Sequence, residues 1–138
     1  MTSPDPDLEH FLLTLYRNLG DRAAFDASLD PELTVWESAD PRLLRGLGEL
    51  DELRGPAVPV AERTSPLPHV RPVDLVTESW GDTGLIRAVL EVRDDEHGPV
   101  IERVRMTDVV RRSADGRWRI VHHHAQDLAG DGDRDDEE

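Results

Sequence analysis

The sequence predicts an α+β domain, a curved and mainly antiparallel sheet with helices packed on one face. Three observations predict it. Near the start, apolar residues recur at helical spacing, at Leu8, Phe11, Leu12, Leu15, Tyr16 and Leu19. The second half instead carries β-rich runs separated by turns that hold Gly and Asp. The 138 residues suffice for one domain and not comfortably for two. Helices first and a meander afterwards is the α+β order.

Each element has its own signal. "DLEHFLLTLYRNLG" is a helix that Asp7 can cap and that Gly20 can end. Asp21 opens a second short helix, "DRAAFDASLD", which Pro31 ends. "ELTVWES" reads as a strand and "RGLGELDELRG" as a short helix. Residues 55–72 hold five prolines and read as a loop forming a rim or lid. "VDLVTESW" then turns at "GDTG" into "LIRAVLEVR", "DDEHGP" into "VIERVRMTDVVRR", and "SADG" into "RWRIVHHHAQDL". The domain is expected over residues 7–128, between a disordered 1–6 and a disordered acidic tail, 129–138. The tail sets six acids against one arginine and has little apolar surface to bury.

Composition excludes several functions. There is no cysteine, hence no disulfide, thiolate metal site or cysteine nucleophile. A formal net charge of −14 repels phosphate backbones, so nucleic acid is not an expected partner. All 16 basic residues are arginine, which removes Schiff-base lysine chemistry. No apolar run approaches the roughly 18 residues of a membrane span, and the first ten residues lack a signal-peptide pattern. A soluble, cytoplasmic protein that engages no membrane is the expectation.

The histidine run 122–124 is the first chemical candidate. Side chains alternate along a strand, so His122 and His124 share a face with Trp118 and Ile120, and His123 shares the other with Val121 and Ala125. Three consecutive strand histidines cannot all reach one ion, so a closed zinc site would need ligands from elsewhere. No metal and no cofactor are expected. His122 and His124 suit the sheet face or a subunit interface, and Trp118 suits packing.

"TDVVRRSADGRWRIVHHHAQ" resembles the closing hairpin of the nuclear transport factor 2-like superfamily, in SnoaL-like proteins and in the association domain of calcium/calmodulin-dependent kinase II. "FDASLDPELTVWESADPRLLRG" and "GDTGLIRAVL" are similar to earlier stretches of the same superfamily. The resemblance covers about residues 8–128. It implies a cone-shaped fold with the helices on the concave face of the sheet, a pocket between them, and a homodimer formed through the sheet.

The resemblance also implies pocket residues. Asp108 stands where ketosteroid isomerases carry an inward acid and the kinase domain an inward arginine. Arg87, in "LIRAVL", resembles the kinase domain's pocket arginine, and would pair with Asp108 or leave it as a free acid. Glu37 resembles the isomerases' general base, one methylene longer. The parity of His123 points inward, where it can transfer protons. The isomerases' tyrosine donor falls on Leu13, with Tyr16 one turn further on. The catalytic candidates are thus Glu37, Asp108 and His123, and the ligand-binding candidates Arg87, Tyr16 and Trp36. Two functions remain open. One is cofactor-independent isomerisation, dehydration or cyclisation of a small organic molecule. The other is a non-catalytic ligand-binding or hub-like assembly module with an arginine-based carboxylate site.

Overall fold

The structure is a computed structural model that describes residues 5–64 and 67–128. Helix α1 (Pro6–Arg17) and helix α2 (Arg22–Asp26) precede strands β1 (Leu29–Glu37) and β2 (Asp40–Arg45). Helix α3 (Gly46–Arg54) and a 3-10 turn (Val60–Glu62) follow. Strands β3 (His69–Trp80), β4 (Thr83–Arg93), β5 (Glu102–Arg112) and β6 (Trp118–Asp127) complete the fold. The six strands form one sheet in the order β2-β1-β6-β5-β4-β3. Only the β1–β6 pair is parallel. This is the α+β architecture that the pattern predicts.

Helix α1 begins earlier than its periodicity suggests. Asp5, not Asp7, is the N-cap, and its carboxylate accepts from the amides of Asp7 and Leu8. Pro6 at the first helical position needs no donor. Thr77 of β3 clips this start in place: its hydroxyl accepts from the Asp5 amide at 3.1 Å and donates to the Asp5 carbonyl at 3.0 Å. The helix lays Leu8, Leu12 and Leu15 on the sheet, each essentially buried. Such burial stabilises by about 1.5–3 kcal/mol per leucine. The helix can approach this closely because Gly84 has no side chain. A Cβ there would stand 2.7 Å from the Leu8 Cδ1 and 2.8 Å from the Val110 Cγ2.

Other elements also differ from the sequence reading. Helix α2 ends at Asp26 rather than at Pro31, because Leu29 already pairs with Ile120 of β6. Strand β2 was not expected. "DPRLLR" is short and carries a proline, which an edge strand tolerates. Strand β3, the opposite edge, begins at His69 inside the proline-rich stretch, and its register breaks between Val73 and Val76, with Asp74 at φ 54°. The expected disordered ends, apart from Asp5 and Pro6, lie outside the described residues.

Candidate functional site

Strand pairing decides which side chains face α1. Ile86 pairs with Asp108, and Asp108 with His123, so these three share one face. It is the buried face, which also carries Ala88, Leu90, Met106, Val110 and Ala125. His123 therefore points inward, as the resemblance implies. Ile120 was expected to face out with His122, yet it is buried. The reason is a register shift: Val110 pairs with Ile120 and Val109 with His122, so Val121 is an extra residue in β6. A bulge of this kind breaks strict alternation and lets Ile120 and His123 look the same way.

His123, with 19% of its side chain exposed, pairs with the fully buried Asp108. The His123 Nδ1 lies 2.5 Å from the Asp108 Oδ1, and the Asp108 side chain is 0% exposed. Burial pushes the His123 imidazole down. The Asp108 carboxylate, by its charge and its hydrogen bond, and Glu37 by its charge, more than offset this and hold it above the ordinary histidine range. His123 is thereby biased toward its charged form, in which Nε2 is the remaining donor. The Asp108 Oδ2 is buried and makes no hydrogen bond among the described residues.

His123, but not Asp108, borders a cavity of about 150 Å³ between α1, α2, α3, β1 and β6. Glu37 lines it from the end of β1, where Leu33, Val35 and Glu37 share the inner face. Tyr16 lines it from α1. Burial first, then the Asp108 and Glu37 charges, push the Tyr16 hydroxyl far above its usual value, so it stays protonated and can donate. Arg54 also lines the cavity, and the sequence reading did not single it out. Its terminal nitrogens hold Asp26 at 2.8 and 3.0 Å, tying α3 to α2, while its Nε is buried without a partner. Only the position of Arg54 in the last turn of a short helix hinted at it. Leu29, Leu33, Phe25 and Ile120 make the rest of the wall apolar.

Two expected ligand residues face the other way. Arg87 pairs with Thr107 and Val76 on the outer face, with its side chain 48% exposed. Its partner is Glu78 at 2.9 Å, so the Arg87–Asp108 pair does not form; an arginine one residue from inward Ile86 and Ala88 cannot reach that interior. Trp36, next to inward Glu37, is 47% exposed on the same outer face. There it meets His122 and His124 edge-on, each ring centroid 6.0 Å away. The His122 Nδ1 shares a 2.7 Å hydrogen bond with the Thr34 hydroxyl. Burial, then the neighbouring His123 and His124, pull the His122 imidazole below its ordinary value.

Three solved structures share this fold. The chain aligns with a hub homology domain of calcium/calmodulin-dependent kinase II from Chlamydomonas reinhardtii at TM-score 0.69 and 21% identity, covering 89% of this chain and 96% of that one. An NTF2-like protein with a cystatin-like fold from Novosphingobium aromaticivorans aligns at TM-score 0.65 and 17% identity, covering 92% and 81%. A ketosteroid isomerase-like protein from Erwinia carotovora atroseptica aligns at 0.61 and 16%, covering 90% and 94%. This is the nuclear transport factor 2-like fold. No family model matches the chain, and no curated protein matches its sequence.

The chemistry of this particular nuclear transport factor 2-like cone must come from its own side chains. An acid (Glu37), a carboxylate-partnered imidazole (His123), a phenol (Tyr16) and one spare guanidinium N–H (Arg54) border one small apolar space. Among the described residues no group of three or more His, Asp or Glu is placed to hold a metal ion. No helix there is long and apolar enough to cross a membrane.

Proposed function

We propose that the cone binds a small carbonyl compound and moves a proton within it without a cofactor. The observation that carries this reading is the convergence of Glu37, Tyr16 and the Asp108-backed His123 on one cavity. Glu37 takes a proton from the carbon beside the carbonyl. The C–H electron pair forms a carbon–carbon double bond, and the carbonyl π pair moves onto oxygen. The Tyr16 hydroxyl and the His123 Nε2–H donate to that oxygen, in a site with little water to compete. Returning the proton to the same carbon gives exchange. In a β,γ-unsaturated compound the same step gives a dienolate, and returning the proton to its γ-carbon moves the double bond into conjugation, which is isomerisation. Asp108 does not line the cavity; it is a positioning residue that keeps His123 charged and oriented.

The test is deuterium exchange into small ketones in D2O, followed by NMR. Wild type should accelerate α-proton exchange, and Glu37→Gln should lower the rate by about 10²–10⁴. A Gln variant exchanging as fast as wild type would overturn the assignment.

A second reading concerns assembly, and the outer face of the sheet favours it. Trp36 stands 47% exposed there beside His122 and His124, and Val76 and Trp80 stand 50% and 45% exposed on the edge strand β3. A second copy of the chain covering this face would remove that apolar surface from water. Trp36→Glu should then shift a dimer to a monomer in sedimentation equilibrium. An unchanged mass for that variant, or a monomeric wild type, would reject the interface.

A further inference from the structure

Proton transfer by Glu37, Tyr16 and His123 leaves one polar group at the cavity without a task. Arg54, the last residue of α3, also lines it. Its terminal nitrogens are committed elsewhere. Nη1 donates to Asp26 at 2.8 Å, and Nη2 donates to Asp26 at 3.0 Å and to Asp51. Neither aspartate lines the cavity, so the fork of the guanidinium points away and the stem that carries Nε runs along the wall. Nε is buried and has no partner among the described residues. An unmet donor on a charged group is costly, and a bound oxygen removes that cost.

Three features say what that oxygen belongs to. The space is about 150 Å³, where ligand pockets usually hold roughly 300–1,000 Å³. At about 30 Å³ for each water-sized group, it takes a compound of roughly five or six non-hydrogen atoms. A single N–H serves a single oxygen, and the paired donors that would grip a ligand carboxylate are already on Asp26 and Asp51. The surrounding charge is negative as well. Glu37, Asp26, Asp51 and Asp108 stand against Arg54, Arg22 and His123, so acids exceed bases by one even with His123 charged. A ligand anion would meet that excess between largely apolar walls, where repulsion is weakly screened.

We infer that Arg54 selects the substrate, and that the compound in the cone is small, neutral and carries two oxygens. Its carbonyl oxygen meets Tyr16 and His123. Its second oxygen, of a hydroxyl, ether or carbonyl, accepts from the Arg54 Nε–H. This rests on the proton-transfer reading and names its substrate class.

The test compares methoxyacetone with 2-pentanone, which has a methylene in place of the ether oxygen, and with pyruvate, which carries a carboxylate. Affinities come from NMR titration of the wild-type protein in ordinary water, where returning a proton to the same carbon leaves each compound unchanged. Methoxyacetone should bind about fivefold more tightly than 2-pentanone, the gain of one hydrogen bond, and more tightly than pyruvate. The Arg54 Nε–H resonance should move further downfield with methoxyacetone than with 2-pentanone. Arg54→Met should erase the preference. Asp26→Asn weakens the same tie between α3 and α2 but keeps the Nε, so it should retain the preference, whereas a merely structural Arg54 would lose it in both variants. The Nε–H signal of wild type decides the matter even where Arg54→Met fails to fold. Equal affinities for methoxyacetone and 2-pentanone, an Nε–H signal that responds to neither, or tightest binding of pyruvate would overturn the inference. None of these readings uses exchange. A preference for methoxyacetone without deuterium exchange in wild type keeps the Arg54 assignment and removes the proton transfer. Exchange without that preference does the reverse.

Discussion

His122 and His123 are neighbours on one strand, yet their surroundings push them in opposite directions. His123 faces the interior and is held above the ordinary histidine range, because Asp108 lies 2.5 Å away and offsets its burial. His122 faces the other side, is partly covered, bonds only a hydroxyl, and is pulled down. Burial lowers both. The difference is the carboxylate, so partnership and not depth decides which histidine carries a charge.

The largest test of this contrast is to remove the partner. Asp108→Ala should cost about 1–3 kcal/mol in urea unfolding at pH 6, since it leaves the His123 Nδ1 without its partner and opens space in the sheet's inner face. Asp108→Leu combined with His123→Leu should cost less than Asp108→Ala, because no unpartnered polar group remains. A loss under 1 kcal/mol for Asp108→Ala would mean that the pair contributes little.

Stability against pH gives the next effect, and the two histidines carry opposite signs. The folded pKa of His123 lies above the unfolded value near 6.5, so its contribution is full below that pH and is lost as pH rises through the folded pKa. The folded pKa of His122 lies below, so its contribution is present above about 6.5 and is lost as pH falls through the folded pKa. Wild type minus His123→Gln should therefore shrink toward alkaline pH. Wild type minus His122→Gln should shrink toward acid. Two differences with the same slope would break the contrast.

The smallest effect belongs to the outer face. Arg87→Ala should change stability by no more than about 0.5 kcal/mol, because its pair with Glu78 is half exposed. A cost above 2 kcal/mol would point to a buried role that its exposure denies.

Much of this arrangement was legible in the sequence, and the rest failed for definable reasons. The helical repeat of α1 and the four closing strands follow from period 3.6 or period 2, whereas the inward direction of His123 follows from the family resemblance, since alternation alone does not say which face is buried. Arg87 did not, because "LIRAVLEV" is apolar on both sides of the strand and its pattern does not say which face is buried. Trp36 and Glu37 were both assigned to the ligand, although adjacent strand residues point apart; one of them had to be wrong. The Asp108–His123 pair depends on the register between β5 and β6, which the bulge at Val121 shifts. Arg54 reaches the cavity only through the packing of α3 against α2, which no local pattern encodes.

The central claim is that a charged His123, backed by Asp108, faces the cavity beside Glu37. An NMR titration of the histidine rings, with His123 assigned through the His123→Gln variant, tests it directly. The account predicts that His123 titrates above 6.5 and falls below it in Asp108→Asn, while His122 titrates below 6.5 in both. A His123 ring that titrates at or below 6.5 in wild type, or that ignores the loss of the Asp108 charge, would contradict it.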